Sequence, residues 1–96
     1  MQICLSYPVK NFEVWKHVFD ENRSKRESAG LKDISIFRKV GEENTVLTIL
    51  EGSPDVLKAM LADPDMKAKM KEAGVLAPPE VIVGEKLFQE KLSAVS

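Results

Sequence analysis

Few side chains in this sequence are equipped to recognise or act on another molecule, and most of them fall between Asn11 and Leu31. That stretch holds the only Trp (Trp15), the only His (His17), two of the four Phe residues (Phe12 and Phe19), and the polar pair Asn22 and Arg26. Aromatic rings can stack on a flat molecule, and a guanidinium can hold an acidic group through paired hydrogen bonds. Tyr7, just upstream, can add a hydroxyl. Trp15, Phe19, Asn22, Arg26 and Tyr7 therefore form a candidate binding set for a small, partly aromatic or acidic molecule. Arg26 also poses a physical problem. An unpaired Arg forced out of water costs several kcal/mol. It must snorkel to solvent from the helix end, pair with an acid, or face a cavity that takes a polar or anionic group.

Catalytic constellations are harder to find. His17 lies on the polar side of its helix, as a solvated residue rather than a base. One His among scattered carboxylates offers no converging set of metal ligands, so no metal is expected. Gly41 and Gly52 are isolated turn residues, with no phosphate-binding loop. No Ser, His and acid cluster stands out, and no cofactor is expected. Met60, Met66 and Met70 read as core, although Met is adaptable enough to line a pocket. Cys4 has no partner for a disulfide and reads as a buried structural thiol, which suits a reducing cytoplasm.

Charge and hydropathy exclude other classes. A net charge of −1 without a basic stripe gives no footprint for nucleic acid. Apolar runs fall far short of a membrane span, and Pro8 and Lys10 come too early for a secretory signal.

The elements that position the candidate residues follow from periodicity. Residues 2–7 alternate Ile3, Leu5 and Tyr7 with Gln2, Cys4 and Ser6, which is a strand. Asn11 to Leu31 reads as one long amphipathic helix, capped by Asn11 and closed by Gly30. Phe12, Val14, Trp15, Val18 and Phe19 share its apolar side, and Asn22 and Arg26 continue that sector. Asp33 to Val40 and Thr45 to Glu51 read as a hairpin about Gly41. Ser53-Pro54-Asp55 starts a helix, Asp63-Pro64-Asp65 breaks and restarts it, and Gly74 closes it. A last strand runs from about Glu80 to Phe88, and the tail from Gln89 is expected to fray.

The order β-α-β-β-α-β predicts one α+β domain over residues 1–96. It is a ferredoxin-like sandwich, with a four-stranded antiparallel sheet and its helices on one face. The other face, with Cys4, Phe37, Leu47, Ile49, Ile82 and Phe88, is too apolar for solvent. A second copy packing sheet to sheet would cover it, so a homodimer is expected.

The helix text Phe12-Glu13-Val14-Trp15-Lys16-His17-Val18-Phe19 closes on Ala29-Gly30-Leu31. Asp63-Pro64 later leads through Met70 to Ala73-Gly74-Val75. Over nearly the whole chain, this resembles the dimeric α+β barrel superfamily. The likeness is to small single-domain relatives of the antibiotic-biosynthesis monooxygenases, many of unknown function. The resemblance implies that two sandwiches form a barrel and that each protomer keeps a cleft between helices and sheet. It also implies a range of roles, from cofactor-independent oxygenases and haem-degrading enzymes to proteins with no known reaction. The Asn, Trp and His set of the haem-degrading members cannot be carried over, because Trp15 and His17 share one helix and the first strand has no Asn. Three readings follow: a homodimeric small-molecule binding protein, a cofactor-independent monooxygenase or related enzyme on an aromatic or polyketide-like substrate, and a structural or interaction module.

Overall fold

Strand β1 (Gln2–Pro8) alternates as its sequence requires, with Ile3, Leu5 and Tyr7 buried and Gln2, Cys4 and Ser6 half-buried on the reverse side. In the computed structural model, residues 1–87 are described. β1 pairs antiparallel with β3 (Glu42–Glu51) on one side and β4 (Glu80–Gly84) on the other. β2 (Lys32–Lys39) adds antiparallel to β3, giving the order β2-β3-β1-β4. This is the ferredoxin-like sheet expected from the element order. Its inner face buries Ile3, Leu5, Tyr7, Val46, Thr48 and Leu50 beneath the helices.

Each helical arm is in two pieces. α3 (Pro54–Ala62) begins as its cap sequence predicts, with the Ser53 hydroxyl accepting from the Val56 N–H. α4 (Pro64–Glu72) restarts at Asp63, whose carboxylate accepts from the Asp65 N–H. The Val75 N–H returns to the Met70 carbonyl at 3.0 Å across Gly74, which has φ +83°. The first arm closes the same way, the Leu31 N–H reaching the Arg26 carbonyl at 2.9 Å across Gly30. A left-handed residue is needed at both places, and glycine takes it without steric cost.

The first arm departs from the single helix expected over Asn11 to Leu31. It is α1 (Phe12–Glu21) followed by a short α2 (Arg23–Ser28), joined at Asn22 with φ −93° and ψ 7°. The cause lies in the side chains. The Asn22 amide donates to the Val18 carbonyl at 2.9 Å, and an Arg26 Nη1 donates to the Phe19 carbonyl at 2.9 Å. Both carbonyls belong to the helix ladder, so polar side chains compete with the backbone for them and the helix bends.

Strand limits also shift. β3 begins at Glu42 rather than Thr45, because the turn is confined to Val40 and Gly41 and the following residues join the ladder. β4 ends at Gly84 rather than Phe88. Phe88 and the tail from Gln89 lie outside the described residues. Among the described residues, no helix is long and apolar enough to cross a membrane.

β2 carries a bulge that the alternation pattern does not announce. Asp33 pairs with Leu50, but Ser35 pairs with Ile49, so Ile34 is extra. Cross-strand partners share a face, so Asp33 joins the inner face and Ser35 the outer one. Without the bulge, Asp33 would point away from the helices.

The outer face keeps the apolar character read from the sequence. Cys4, Leu47 and Ile49 are half-buried, while Phe37 and Ile82 are 50% and 56% exposed.

Candidate functional site

Trp15 is the anchor of the site. Helical spacing sets Phe12, Trp15 and Phe19 in a row, with ring centroids 5.6 Å and 4.9 Å apart. Trp15 is only 2% exposed, and its indole N–H donates to the Tyr7 hydroxyl at 3.1 Å. The two rings meet edge to face at 6.0 Å, an arrangement that suits their charge distribution. His17 points to solvent and lies 3.4 Å from Glu21, consistent with its polar side of the helix.

Arg26 resolves its own problem by pairing. Its Nε and one Nη donate to the two carboxylate oxygens of Asp33 at 2.9 and 2.8 Å. The guanidinium also lies 3.6 Å over the Phe19 ring. It is 7% exposed, so it does not snorkel. The bulge at Ile34 makes this pair possible by turning Asp33 inward.

A cavity opens between these elements. Leu5, Tyr7, Thr48 and Leu50 of the sheet form its floor, and Trp15, Val18, Phe19, Asn22 and Arg26 form one wall. Leu57, Met60, Leu61, Met66, Lys69, Met70 and Ala73 of the second arm form the other. All five residues of the candidate set thus line one space. The volume is about 80 Å³, well below the ~300–1,000 Å³ of typical ligand pockets. That is space on the scale of a single ring. α4 contributes no fully buried residue to this wall.

Two hydroxyl-bearing residues, Tyr7 and Thr48, line the floor of this largely apolar space. Burial raises the Tyr7 phenol from 10.0 to about 12, against the opposing pull of the Trp15 hydrogen bond, the Arg26 charge and the nearby Thr48 hydroxyl. Tyr7 is therefore a neutral donor and acceptor, not a phenolate. The folded state holds this proton more tightly than the unfolded chain, so its contribution to stability is complete below pH 10 and is lost as pH rises towards 12. Tyr7 is the only Tyr, so phenolate absorbance at 295 nm should titrate near 12 in the folded protein and near 10 in urea. A folded midpoint near 10 would show that the phenol is solvated.

Thr48 is the second hydroxyl. It is 1% exposed, and its Oγ1 makes no well-aligned hydrogen bond, although it lies close enough to Tyr7 to oppose the rise of that phenol. An unsatisfied buried hydroxyl costs about 1–3 kcal/mol. Among the described residues, no group of three or more His, Cys, Asp or Glu side chains is placed to hold a metal ion.

No family model matches the chain, and no curated protein is significantly similar to it in sequence. Solved structures are similar in shape. A candidate antibiotic biosynthesis monooxygenase from Bordetella bronchiseptica aligns with a TM-score of 0.68 at 16% identity, over 91% of this chain and 96% of its own. SnoaB, a cofactor-independent oxygenase from Streptomyces nogalater, aligns at 0.64 and 13% identity, over 93% of this chain and 96% of its own. The chain has the fold of the antibiotic biosynthesis monooxygenase-like proteins. A candidate monooxygenase from Deinococcus radiodurans extends the likeness, with a TM-score of 0.60 at 14% identity over 95% of this chain and all of its own. At these identities the likeness is one of fold.

Within this monooxygenase-like fold, the sequence reading missed Asp33 and Thr48. Thr48 was visible in principle, since it alternates with Val46 and Leu50 on the inner face. Asp33 was not, because the bulge reverses its side. Met60, Met66 and Met70 line the cavity wall, the use the sequence allows them beside core packing, and Met60 also packs against the core.

Proposed function

We propose that the chain is a homodimeric binding protein for a small, partly aromatic molecule held between helices and sheet. The supporting observation is the cavity itself, with Trp15 and Phe19 on one wall, adaptable Met side chains on the other and Tyr7 in the floor. Of the two ligand chemistries suggested by the sequence, aromatic and acidic, the pairing of Arg26 with Asp33 favours the aromatic one. A screen of one- and two-ring aromatics, read by Trp15 fluorescence and thermal unfolding, tests this. At least one compound should change the emission and raise Tm, and a screen in which none does so would contradict the proposal. The unpaired thiol of Cys4 suits a reducing, cytoplasmic setting.

The partner in the dimer is a second copy packed on the outer sheet face. Stable interfaces bury roughly 1,600 Å² in total, and Phe37, Leu47, Ile49 and Ile82 supply a fitting apolar patch. Phe37→Glu should yield monomers or insoluble protein, with the cavity residues untouched. A wild-type mass near 10.7 kDa by light scattering at micromolar concentration would contradict the dimer.

A second reading is a cofactor-independent oxygenase, favoured by the fold shared with SnoaB. Its substrate would be a phenolic or polyketide-like aromatic, and oxygen uptake with such a compound would single it out. Among the described residues, Tyr7 is held neutral, His17 points away, and Lys69 of the wall lies 3.9 Å from Glu72, so none of the three is placed as a ready base. Binding is therefore the reading we favour. The open cavity also argues against a purely structural module, which would fill that space with side chains.

A further inference from the structure

We propose that Met66 and Met70 are a paired oxidation site, and that a peroxide, by converting them to sulfoxides, releases α4 from the cavity wall. The proposal is independent of what the cavity binds.

The residues of α4 carry the argument. From Pro64 to Glu72, Met66 and Met70 are half-buried and every other residue is exposed. The two lie one turn apart, so they share a face, and both line the cavity across from Trp15 and Phe19. The polar contacts of the helix stay local. Lys69 reaches Glu72 at 3.9 Å, and the Asp63 carboxylate accepts from the Asp65 N–H at 3.0 Å. Backbone bonds hold the chain just beyond its end, where the Lys10 N–H donates to the Gly74 carbonyl and the Leu76 N–H to the Pro8 carbonyl. The body of α4 therefore rests on two thioethers. α3 differs, because Leu57 anchors it in the core at 3% exposure.

Sulfur makes this fastening chemically labile, as a Leu pair would not be. The thioether sulfur attacks one oxygen of hydrogen peroxide, the O–O bond breaks and an S–O bond forms. Two electrons pass from sulfur to the peroxide. The proton of the transferred hydroxyl goes to the departing hydroxide, which leaves as water. The sulfoxide is polar and gives up the apolar contact that the thioether made. Half-burial leaves both side chains within reach of a small oxidant, whereas Met60 packs against the core from α3.

Treatment of the wild-type protein with dilute hydrogen peroxide tests the proposal. Peptide mass spectrometry places each added oxygen, and amide hydrogen exchange follows α4. Met1, 65% exposed, serves as the clock for an open thioether. Met66 and Met70 should oxidise ahead of Met60. Once both are sulfoxides, the α4 amides should exchange roughly tenfold faster or more, while those of β1 and β3 keep their protection. Met66→Leu with Met70→Leu conserves apolar volume, so this variant should fold and show no such acceleration under peroxide. Oxidation of Met60 as fast as the α4 pair, or unchanged exchange in α4 after both sulfoxides form, would overturn the proposal. Equal acceleration across the sheet would overturn it too, as would the same acceleration in the double Leu variant.

Discussion

Replacing Trp15 by Ala is expected to cost roughly 3–5 kcal/mol of folding stability, a large part of a typical total of about 5–15 kcal/mol. Trp15 is almost wholly buried and touches three other aromatic rings, Tyr7, Phe12 and Phe19. Its removal leaves a cavity where the first arm meets the sheet and takes from Tyr7 the indole N–H donor. Urea unfolding followed by circular dichroism would measure the loss, since the variant has no Trp fluorescence. His17→Ala supplies the control on the same helix. Its side chain is solvent-exposed, so it should change stability by no more than about 0.5 kcal/mol. Equal losses at the two positions would mean that α1 presents a different face to the sheet.

The second large effect is expected at Asp33. Asp33→Ala leaves the Arg26 guanidinium buried against Phe19 with no counter-charge. Breaking one side of such a pair typically costs about 3–5 kcal/mol. Arg26 and Asp33 side chains are 8% and 19% exposed, so water can relieve little of this. Removing both charges together, as Arg26→Met with Asp33→Leu, should restore much of the loss, because the pair itself is worth far less than the penalty for orphaning one member. Urea midpoints of the two variants provide the measurement. An Asp33→Ala protein as stable as wild type would show that Arg26 reaches solvent.

The parts legible in the sequence are those decided locally. Helix ends are local chemistry: Asn11, Ser53 and Asp63 accept from the first turns, and Gly30 and Gly74 take left-handed conformations at the ends. Alternation in β1 and β3 likewise assigns Tyr7, Val46 and Leu50 to the inner face. These two kinds of signal suffice to bring Trp15, Phe19, Asn22, Arg26 and Tyr7 around one cavity. What escaped is decided by contacts between distant residues. The bend at Asn22 depends on where the Asn22 and Arg26 side chains find carbonyls. The bulge at Ile34 turns Asp33 to meet Arg26 across the helix–sheet boundary, a contact between residues on different elements. Simple alternation therefore puts Asp33 on the wrong face and hides the residue that neutralises Arg26. Thr48 was overlooked for another reason: an isolated Thr in a strand is ordinary, and only a packed structure reveals that its hydroxyl makes no well-aligned hydrogen bond.

Native mass spectrometry of gently purified protein tests the central claim most directly, because it reads assembly and occupancy in one spectrum. A species at twice the 10.7 kDa chain mass is expected, carrying extra mass that is released on denaturation and identified as a small aromatic compound. A bare 10.7 kDa chain with no bound mass, even after incubation with one- and two-ring aromatics, would contradict the binding reading.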